Sequence, residues 1–302
     1  MKTGKKPILW SALALVGTLL LIVPGLNFIA MLLLLVPYTV LYTLLNRRSF
    51  IVHALAVIII GCLIIDPIVC ISLSLFAMIP SIALGRYYKK GLPSSKIMPK
   101  MIGLMIVLLM IGLLLIESVF EVSMLSDISK SFTLMMNDVA SQGISPIAWT
   151  TEMTDSFVRL MMNMIPLVFF VMALLIVVCS HYVARRIVSA DGLNITPFPR
   201  AKDWKLPRSL VFLYFIAYLF ELGIDPNDGS FMTLAIMNLV PALSILFAIQ
   251  AVGFFYYIAD NRRWSKAIPF VIAIPVLLFP PASIIGILDT AFPLRKIISK
   301  QQ

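Results

Sequence analysis

Charged residues are scarce in this chain. They make up 13% of its 302 residues, whereas roughly 25% is usual for a soluble globular domain. Apolar residues account for 61%, the mean hydropathy is +1.01, and no stretch between the apolar runs is long enough to build a water-soluble core. This composition excludes a soluble enzyme, a secreted disulfide scaffold and a disordered chain. It predicts an all-α polytopic transmembrane helix bundle embedded in a lipid bilayer.

Cysteine and histidine are also rare. Cys62, Cys70 and Cys179 all fall within apolar runs and form no C-x-x-C pair, so we interpret them as buried apolar side chains. His53 and His181, the two histidines, lie near predicted inner span ends and are interpreted as interfacial residues. No cluster of metal ligands and no nucleophile with a positioned base is recognisable in the sequence. We therefore predict no metal, no cofactor and no enzymatic activity.

Acidic residues number 14 against 24 basic ones, which gives a net charge of +10. No basic stripe is interleaved with aromatic residues, so nucleic acid is not a predicted partner. Basic residues of membrane proteins concentrate in cytoplasmic loops. If the N-terminus is inside, only Lys130 and Arg159 among the 24 basic residues fall on the outer side. The distribution of charge therefore predicts a cytoplasmic N-terminus.

Eight apolar segments are candidates for membrane spans. They cover residues 7–23, 26–45, 49–65, 67–85, 101–120, 157–183, 208–223 and 231–258. Turns at Pro24-Gly25 and Asp66-Pro67 predict that the first four segments form two helical hairpins.

The whole chain, residues 1–302, is predicted to form a single integral membrane domain. Residues 1–118 hold the N-terminal hairpins and the fifth span. Residues 119–156 form an outer loop with short amphipathic helices, and residues 157–302 hold the C-terminal spans.

The apolar run at residues 267–293 is too short for two full crossings and is rich in proline. A broken or re-entrant hairpin fits these residues best, because irregular backbone is tolerated at membrane depth only where protein or a water-filled cavity surrounds it. The hairpin places the C-terminus in the cytoplasm. The alternative is a single tilted ninth span, which would place the bases after Pro293 outside.

Polar side chains near the predicted outer span ends are candidates for a solute site, because a charge at the centre of a membrane helix costs at least about 2.5–3.5 kcal/mol. The candidate ligand-binding residues are Glu117, Arg159, Asn163 and Glu221. Arg159 and Asn163 are four residues apart and therefore share one helical face. Because the fifth and sixth spans are antiparallel, Glu117 at the end of the fifth is expected to lie near Arg159 at the start of the sixth. Alternatively, these residues are interfacial, and Glu117 and Arg159 form a purely structural ion pair.

Other residues are predicted to be structural. Asp66 is expected to cap the helix that starts at Pro67, since its carboxylate can accept from free amides in the first turn. Ala77, Ser81 and Gly85 recur every four residues and present one small-residue face to a neighbouring helix. We expect that neighbour to be internal, with another membrane protein as the alternative.

Short motifs give the chain a resemblance to a known family. They are Pro197-Phe198, Trp204-Lys205-Leu206-Pro207, and Gly286-Ile287-Leu288-Asp289 before Arg295-Lys296. With the paired N-terminal hairpins, these motifs resemble the YybS-like family of uncharacterised bacterial membrane proteins. The N-terminal region of that family is similar to the substrate-binding (S) subunits of energy-coupling-factor transporters. Those subunits capture small solutes from outside and dock on a partner membrane subunit.

The function predicted from the sequence is transport-related binding of a small solute in an outward-facing cavity. The resemblance implies the cytoplasmic membrane of a bacterium as its location. The alternative is a scaffold or regulatory membrane protein that acts through protein partners. An apolar cavity lined by a few polar groups would favour the first function, and a fully packed bundle would favour the second.

The predicted orientation can be tested by cysteine labelling in intact cells. With the three native cysteines replaced, Gln142→Cys and Asp228→Cys should react with a membrane-impermeant maleimide, whereas Lys202→Cys should react only after the membrane is opened. The cysteine-free parent gives the background signal. Labelling of Lys202→Cys alone in intact cells would reverse the orientation.

Overall fold

The computed structural model describes residues 5–119, 124–142, 151–225, 228–265 and 267–300. Regular structure in these residues consists of α-helices and two 3-10 turns (Ala201–Asp203 and Pro280–Ala282), without a β-strand. The helices are α1 (Lys5–Leu20), α2 (Asn27–Leu32), α3 (Val36–Leu44), α4 (Arg47–Cys62), α5 (Pro67–Lys89), α6 (Ser94–Val119), α7 (Met124–Ser141), α8 (Thr151–Asn163), α9 (Ile165–Ala190), α10 (Ser209–Glu221), α11 (Phe231–Asn261), α12 (Ala267–Leu278), α13 (Ser283–Ala291) and α14 (Leu294–Lys300). The all-α prediction is confirmed.

The helices form two compact units. The first unit comprises Met1–Val122 and Phe169–Phe198, and the second comprises Ser123–Val168 and Pro199–Gln302. The first unit is discontinuous in sequence, because most of α9 belongs to it while the preceding α7 and α8 belong to the second. A single integral domain over residues 1–302 stays a prediction.

Five helical segments in the described residues are long and apolar enough to cross a membrane. They are Asn27–Leu44, which joins α2 and α3, together with Pro67–Lys89, Ser94–Ile116, Ile165–Ala190 and Phe231–Asn261. The apolar helices at Lys6–Leu20 and Ser209–Glu221 are shorter. The 13 residues of α10 span only about 20 Å, against about 30 Å for the hydrocarbon core. The prediction of eight spans is therefore not confirmed.

The C-terminal apolar run is sharply bent. The segments Ala267–Leu278 and Pro280–Ala291 meet at an angle of 118° and together would count as a sixth span. Pro280 and Pro281 have no amide hydrogen to continue the hydrogen-bond ladder of α12, so the helix ends at this point. The bend is the geometry expected of a broken or re-entrant segment. The membrane face to which the chain returns stays a prediction.

The sixth predicted span begins later than the sequence suggests. Residues 157–163 belong to α8, and the long apolar helix α9 runs from Ile165 to Ala190. Pro166 lies in the first turn of α9, where a missing amide hydrogen costs nothing. The boundary of 157–183 is therefore wrong, because the apolar residues continue across a helix break that hydropathy alone does not reveal.

Asn238 of α11 bridges this break between α8 and α9. Its side-chain oxygen accepts a hydrogen bond from the amide of Leu167 (2.9 Å), and its nitrogen donates to the carbonyl of Asn163 (2.8 Å). Both backbone groups are left without a helical partner by the break. A buried amide side chain thus replaces the missing helical hydrogen bonds.

A second break, between α2 and α3, is bridged in the same way inside the first unit. The hydroxyl of Ser180 on α9 donates to the carbonyl of Leu32 (2.9 Å) and accepts from the amide of Leu35 (3.3 Å). The hydroxyl of Ser81 on α5 is closer to the carbonyl of Ala77 in its own helix (2.7 Å), and the carbonyl of Leu35 already accepts from the amide of Thr39 (3.0 Å). Ser180 therefore satisfies the two backbone groups that are freed at this break.

The small-residue face of α5 packs against α3. Ala77, Ser81 and Gly85 are all buried. A β-carbon added at Gly85 would lie 2.6 Å from a ring carbon of Tyr42, so only glycine permits this approach. The neighbour of this face is thus a helix of the same unit.

Asp66 lies at the N-cap of α5, directly before Pro67. Its side chain accepts hydrogen bonds from the amides of Ile68 (2.9 Å) and Val69 (3.1 Å). These two amides have no helical acceptor, and such a cap typically contributes about 0.5–2 kcal/mol. The Asp66-Pro67 pair therefore sets the start of the helix.

In the second unit, α11 is the central helix and contacts α10, α12 and α13. The approach of α13 is closest at Gly286, where an added β-carbon would lie 1.8 Å from the carbonyl oxygen of Phe247. Both partners in this contact are backbone, so no side chain can move aside. The contact requires glycine.

Gly286→Ala should therefore destabilise the protein by about 1–3 kcal/mol or more, the usual cost of overpacking. Gly103→Ala in α6 is the matched control, because nothing lies within 4 Å of an added β-carbon there. Alanine is favoured over glycine in a helix, so the control should be neutral or slightly stabilising. Thermal unfolding in detergent measures both. Equal melting temperatures would contradict the backbone contact.

Candidate functional site

A cavity of about 270 Å³ lies among α1, α2 and α3 in the first unit. Its wall is mostly apolar and includes Trp10, Ala14, Gly17, Thr18, Ala30, Leu34, Pro37 and Tyr38. Small residues in α1 and α2 leave the space open, and a β-carbon added at Gly17 would touch nothing within 4 Å. The helix breaks between α2 and α3, and Pro37 lies in the first turn of α3. Both helices contribute residues to the cavity wall.

Polar groups gather at one part of this wall. Tyr38 is 1% exposed, and its hydroxyl has no hydrogen-bond partner among the described residues. The hydroxyls of Thr18 and Ser74 lie near it. Thr18 already donates to the carbonyl of Ala14 (2.9 Å), while the hydroxyl of Ser74 is buried and has no hydrogen-bond partner in the described part of the chain.

An unpaired buried hydroxyl costs about 1–3 kcal/mol, so native proteins rarely retain one. The hydroxyls of Ser74 and Thr18 are close enough to serve the Tyr38 hydroxyl as partners inside the fold. The cavity therefore offers a ligand a mostly apolar wall.

His181 is fully buried in the first unit, so its interpretation as an interfacial residue is wrong. Ser94 donates its one hydroxyl hydrogen to the carbonyl of Thr196 (2.6 Å) and so accepts from Nε2–H of His181 (3.0 Å). The hydroxyl of Tyr88 lies 2.7 Å from Nδ1 and donates to it. Both ring nitrogens are thus engaged, and the hydrogen-bond network assigns the tautomer.

This histidine is a structural link and not a free base. Its partners come from α5, from the start of α6 and from the segment after α9, and the ring of Phe198 packs edge-on at 4.7 Å. No spacing rule connects residues so far apart in sequence, so sequence reasoning could not find the network.

The predicted ligand-binding residues lie elsewhere. Arg159 and Asn163 are on α8 of the second unit, where Arg159 is exposed, and Glu221 is the half-buried last residue of α10. Glu117 belongs to α6 of the first unit, and its side chain lies outside the described residues. None of the three described side chains lines the cavity among α1, α2 and α3. The pairing of Glu117 with Arg159 stays a prediction.

The long apolar helices and their buried polar bridges define an integral membrane protein of the helical class. The chain belongs to the family described as "Predicted membrane protein (DUF2232)", which matches residues 11–290. No curated protein and no solved structure matches the chain.

Proposed function

We propose that this protein binds a small, mostly apolar molecule in the cavity among α1, α2 and α3, as part of a transport-related function. The observation that carries the proposal is the cavity itself, a space of about 270 Å³ with a mostly apolar wall. A small ligand with an apolar body would match it.

The size of the cavity supports a small ligand. Its volume of about 270 Å³ is close to the lower end of the roughly 300–1,000 Å³ range of ligand pockets. A single acyl segment or a compact ring system fits this description better than a highly charged solute, because no charged residue is among the described residues that line the cavity.

The distribution of basic residues supports an outward opening. It places the N-terminus in the cytoplasm and the turn at Pro24-Gly25 on the outer side. Gly17, Thr18 and Ile29 line the cavity and lie close to this turn in sequence. In this arrangement the ligand reaches the site from outside the cytoplasmic membrane.

The resemblance of the N-terminal region to the substrate-binding subunits of energy-coupling-factor transporters supports the same function. In that case a second membrane protein supplies the energy for transport, and this chain is a binding subunit without enzymatic activity. A scaffold or regulatory role acting through protein partners is the competing function, and a cavity that holds no ligand would favour it.

Filling the cavity is the most direct test. Gly17→Leu places a side chain in the open space, and Gly103→Leu is the matched control because its position is equally unobstructed but does not line the cavity. We expect a small molecule that co-purifies with the wild type, identified by mass spectrometry, to fall roughly tenfold or more in Gly17→Leu, a change of about 1.4 kcal/mol or more. It should stay unchanged in Gly103→Leu. A well-folded wild type without any such molecule would contradict the proposal.

The hydroxyl of Tyr38 can be tested separately. Tyr38→Phe should leave the protein equally stable or up to about 1–3 kcal/mol more stable, because an unpaired buried hydroxyl is removed, and it should leave ligand retention unchanged because that hydroxyl is buried from the cavity. Tyr88→Phe is the control, since it leaves Nδ1 of His181 unpaired and should destabilise by about 1–3 kcal/mol. Thermal unfolding and mass spectrometry of both variants provide the measurements. A Tyr38→Phe variant as unstable as Tyr88→Phe would show that the Tyr38 hydroxyl has a structural partner.

A further inference from the structure

A buried ion pair organises the C-terminal end of the second unit. The carboxylate of Asp289 on α13 accepts from Nε of Arg295 (3.0 and 3.2 Å) and from its Nη2 (2.6 Å), and the side chain of Asp289 is fully buried. Gln250 on α11 donates a further hydrogen bond to the same carboxylate (2.6 Å). The negative charge of Asp289 is therefore fully compensated within the fold.

The same arginine ties the segment before α10 to α13. Arg295 donates to the carbonyls of Lys202 (2.5 Å) and Trp204 (2.9 Å). Gln250 accepts from the amide of Leu206 (3.0 Å). The backbone before residue 205 is thus held against the start of α14, and the backbone after it against α11.

This arrangement gathers positive charge around a second cavity, of about 120 Å³. Its lining includes Lys205, Arg208, Arg295 and Lys296, with Asp289 as the one acidic residue. Because Asp289 is paired with Arg295, the charges of Lys205 and Arg208 give the cavity a positive potential. Lys205 and Arg208 are exposed, and neither forms an ion pair with any described residue. The fold therefore brings Lys205 and Arg208 together at one cavity as exposed basic residues.

Apolar side chains lie next to the bases. Phe292 lines the cavity and is 55% exposed, and Ile297, on the following helix, is 51% exposed. The positive-inside distribution places this end of the unit at the cytoplasmic face, where basic pockets beside membrane helices bind anionic headgroups. A phosphate with acyl chains attached would satisfy both the bases and the apolar neighbours.

We propose that this basic cavity binds a phosphate group, carried by an anionic phospholipid of the inner leaflet. Lys205 and Arg208 contact the phosphate, Arg295 holds the cavity in shape, and Phe292 contacts the lipid chains. Free inorganic phosphate has the same recognition chemistry, and the test separates the two sources.

The test uses the full chain purified in detergent, with phosphatidylglycerol, phosphatidylcholine and inorganic phosphate as probes. Lys205→Gln combined with Arg208→Gln removes two bases of the cavity. Arg47→Gln combined with Arg48→Gln removes the same charge from exposed residues of the first unit and is the matched control. Native mass spectrometry measures the dissociation constants for the lipids, and melting temperature measures the response to phosphate against chloride at equal ionic strength.

We expect phosphatidylglycerol to bind more tightly than phosphatidylcholine, and the Lys205/Arg208 double variant to weaken its binding roughly tenfold or more. The Arg47/Arg48 control should change it by less than about twofold. The charge-retaining pair Lys205→Arg and Arg208→Lys should bind as the wild type does. Equal melting temperatures in lipid-free detergent verify that the variants are folded.

A different pattern would identify free phosphate as the occupant. Inorganic phosphate would then raise the melting temperature of the wild type but not of the Lys205/Arg208 variant, and the two lipids would bind equally. The proposal is overturned if both double variants weaken lipid binding equally, or if no probe distinguishes the wild type from the Lys205/Arg208 variant. General surface charge would then account for the binding.

Discussion

Where a helix breaks inside a membrane, the backbone groups that lose their helical partners cannot form hydrogen bonds with water instead. This constraint determines where the protein needs buried polar side chains. At the break between α2 and α3, Ser180 supplies the missing hydrogen bonds. At the break between α8 and α9, Asn238 does so. Each bridging side chain comes from a different helix, so the breaks are held by tertiary contacts. Packing of the apolar helices then depends on these few polar residues being correctly placed.

The same constraint applies to every polar side chain that is buried in the fold. Asp289, His181 and Gln250 are buried, and each has its hydrogen-bonding atoms engaged. The hydroxyl of Tyr38 is buried equally deeply but has no partner in the described part of the chain. The hydroxyls of Ser74 and Ser189 and Nε of Arg185 share this condition among the described residues, so the first unit leaves several buried polar atoms unpaired.

Much of the helical arrangement follows from local chemistry and could be predicted. Asp66 before Pro67 sets a helix start, consecutive prolines at 280 and 281 end one, and the stripe of Ala77, Ser81 and Gly85 indicates a close helix contact. The break near Met164 has a local signal in Asn163 and Pro166, but hydropathy does not register it, and its stabilising partner Asn238 lies 71 or more residues away. Hydropathy reports how strongly each residue prefers lipid to water. It does not report hydrogen bonds to residues that are distant in the chain.

At the candidate site too, some features follow from local sequence and others depend on residues that are distant in the chain. Small residues such as Ala14 and Gly17 indicate either a tight contact or an open space, and only the positions of the neighbouring helices distinguish the two. The sequence favours charged residues as candidates for a ligand-binding site. The residues that line the cavity are instead mostly apolar or small, as in any membrane span. The burial of His181 depends on Tyr88 and Ser94, which are 93 and 87 residues away. Local patterns cannot report such contacts.

The discontinuity of the first unit has a consequence for biogenesis. Membrane helices leave the ribosome in chain order, and domains assemble as their parts are synthesised. Helices α1 to α6 are therefore synthesised before α9, while the break between α2 and α3 still lacks Ser180. The first unit stays incomplete until residues 169–198 have been translated. During that interval the carbonyl of Leu32 and the amide of Leu35 lack the partner that Ser180 gives them in the complete fold.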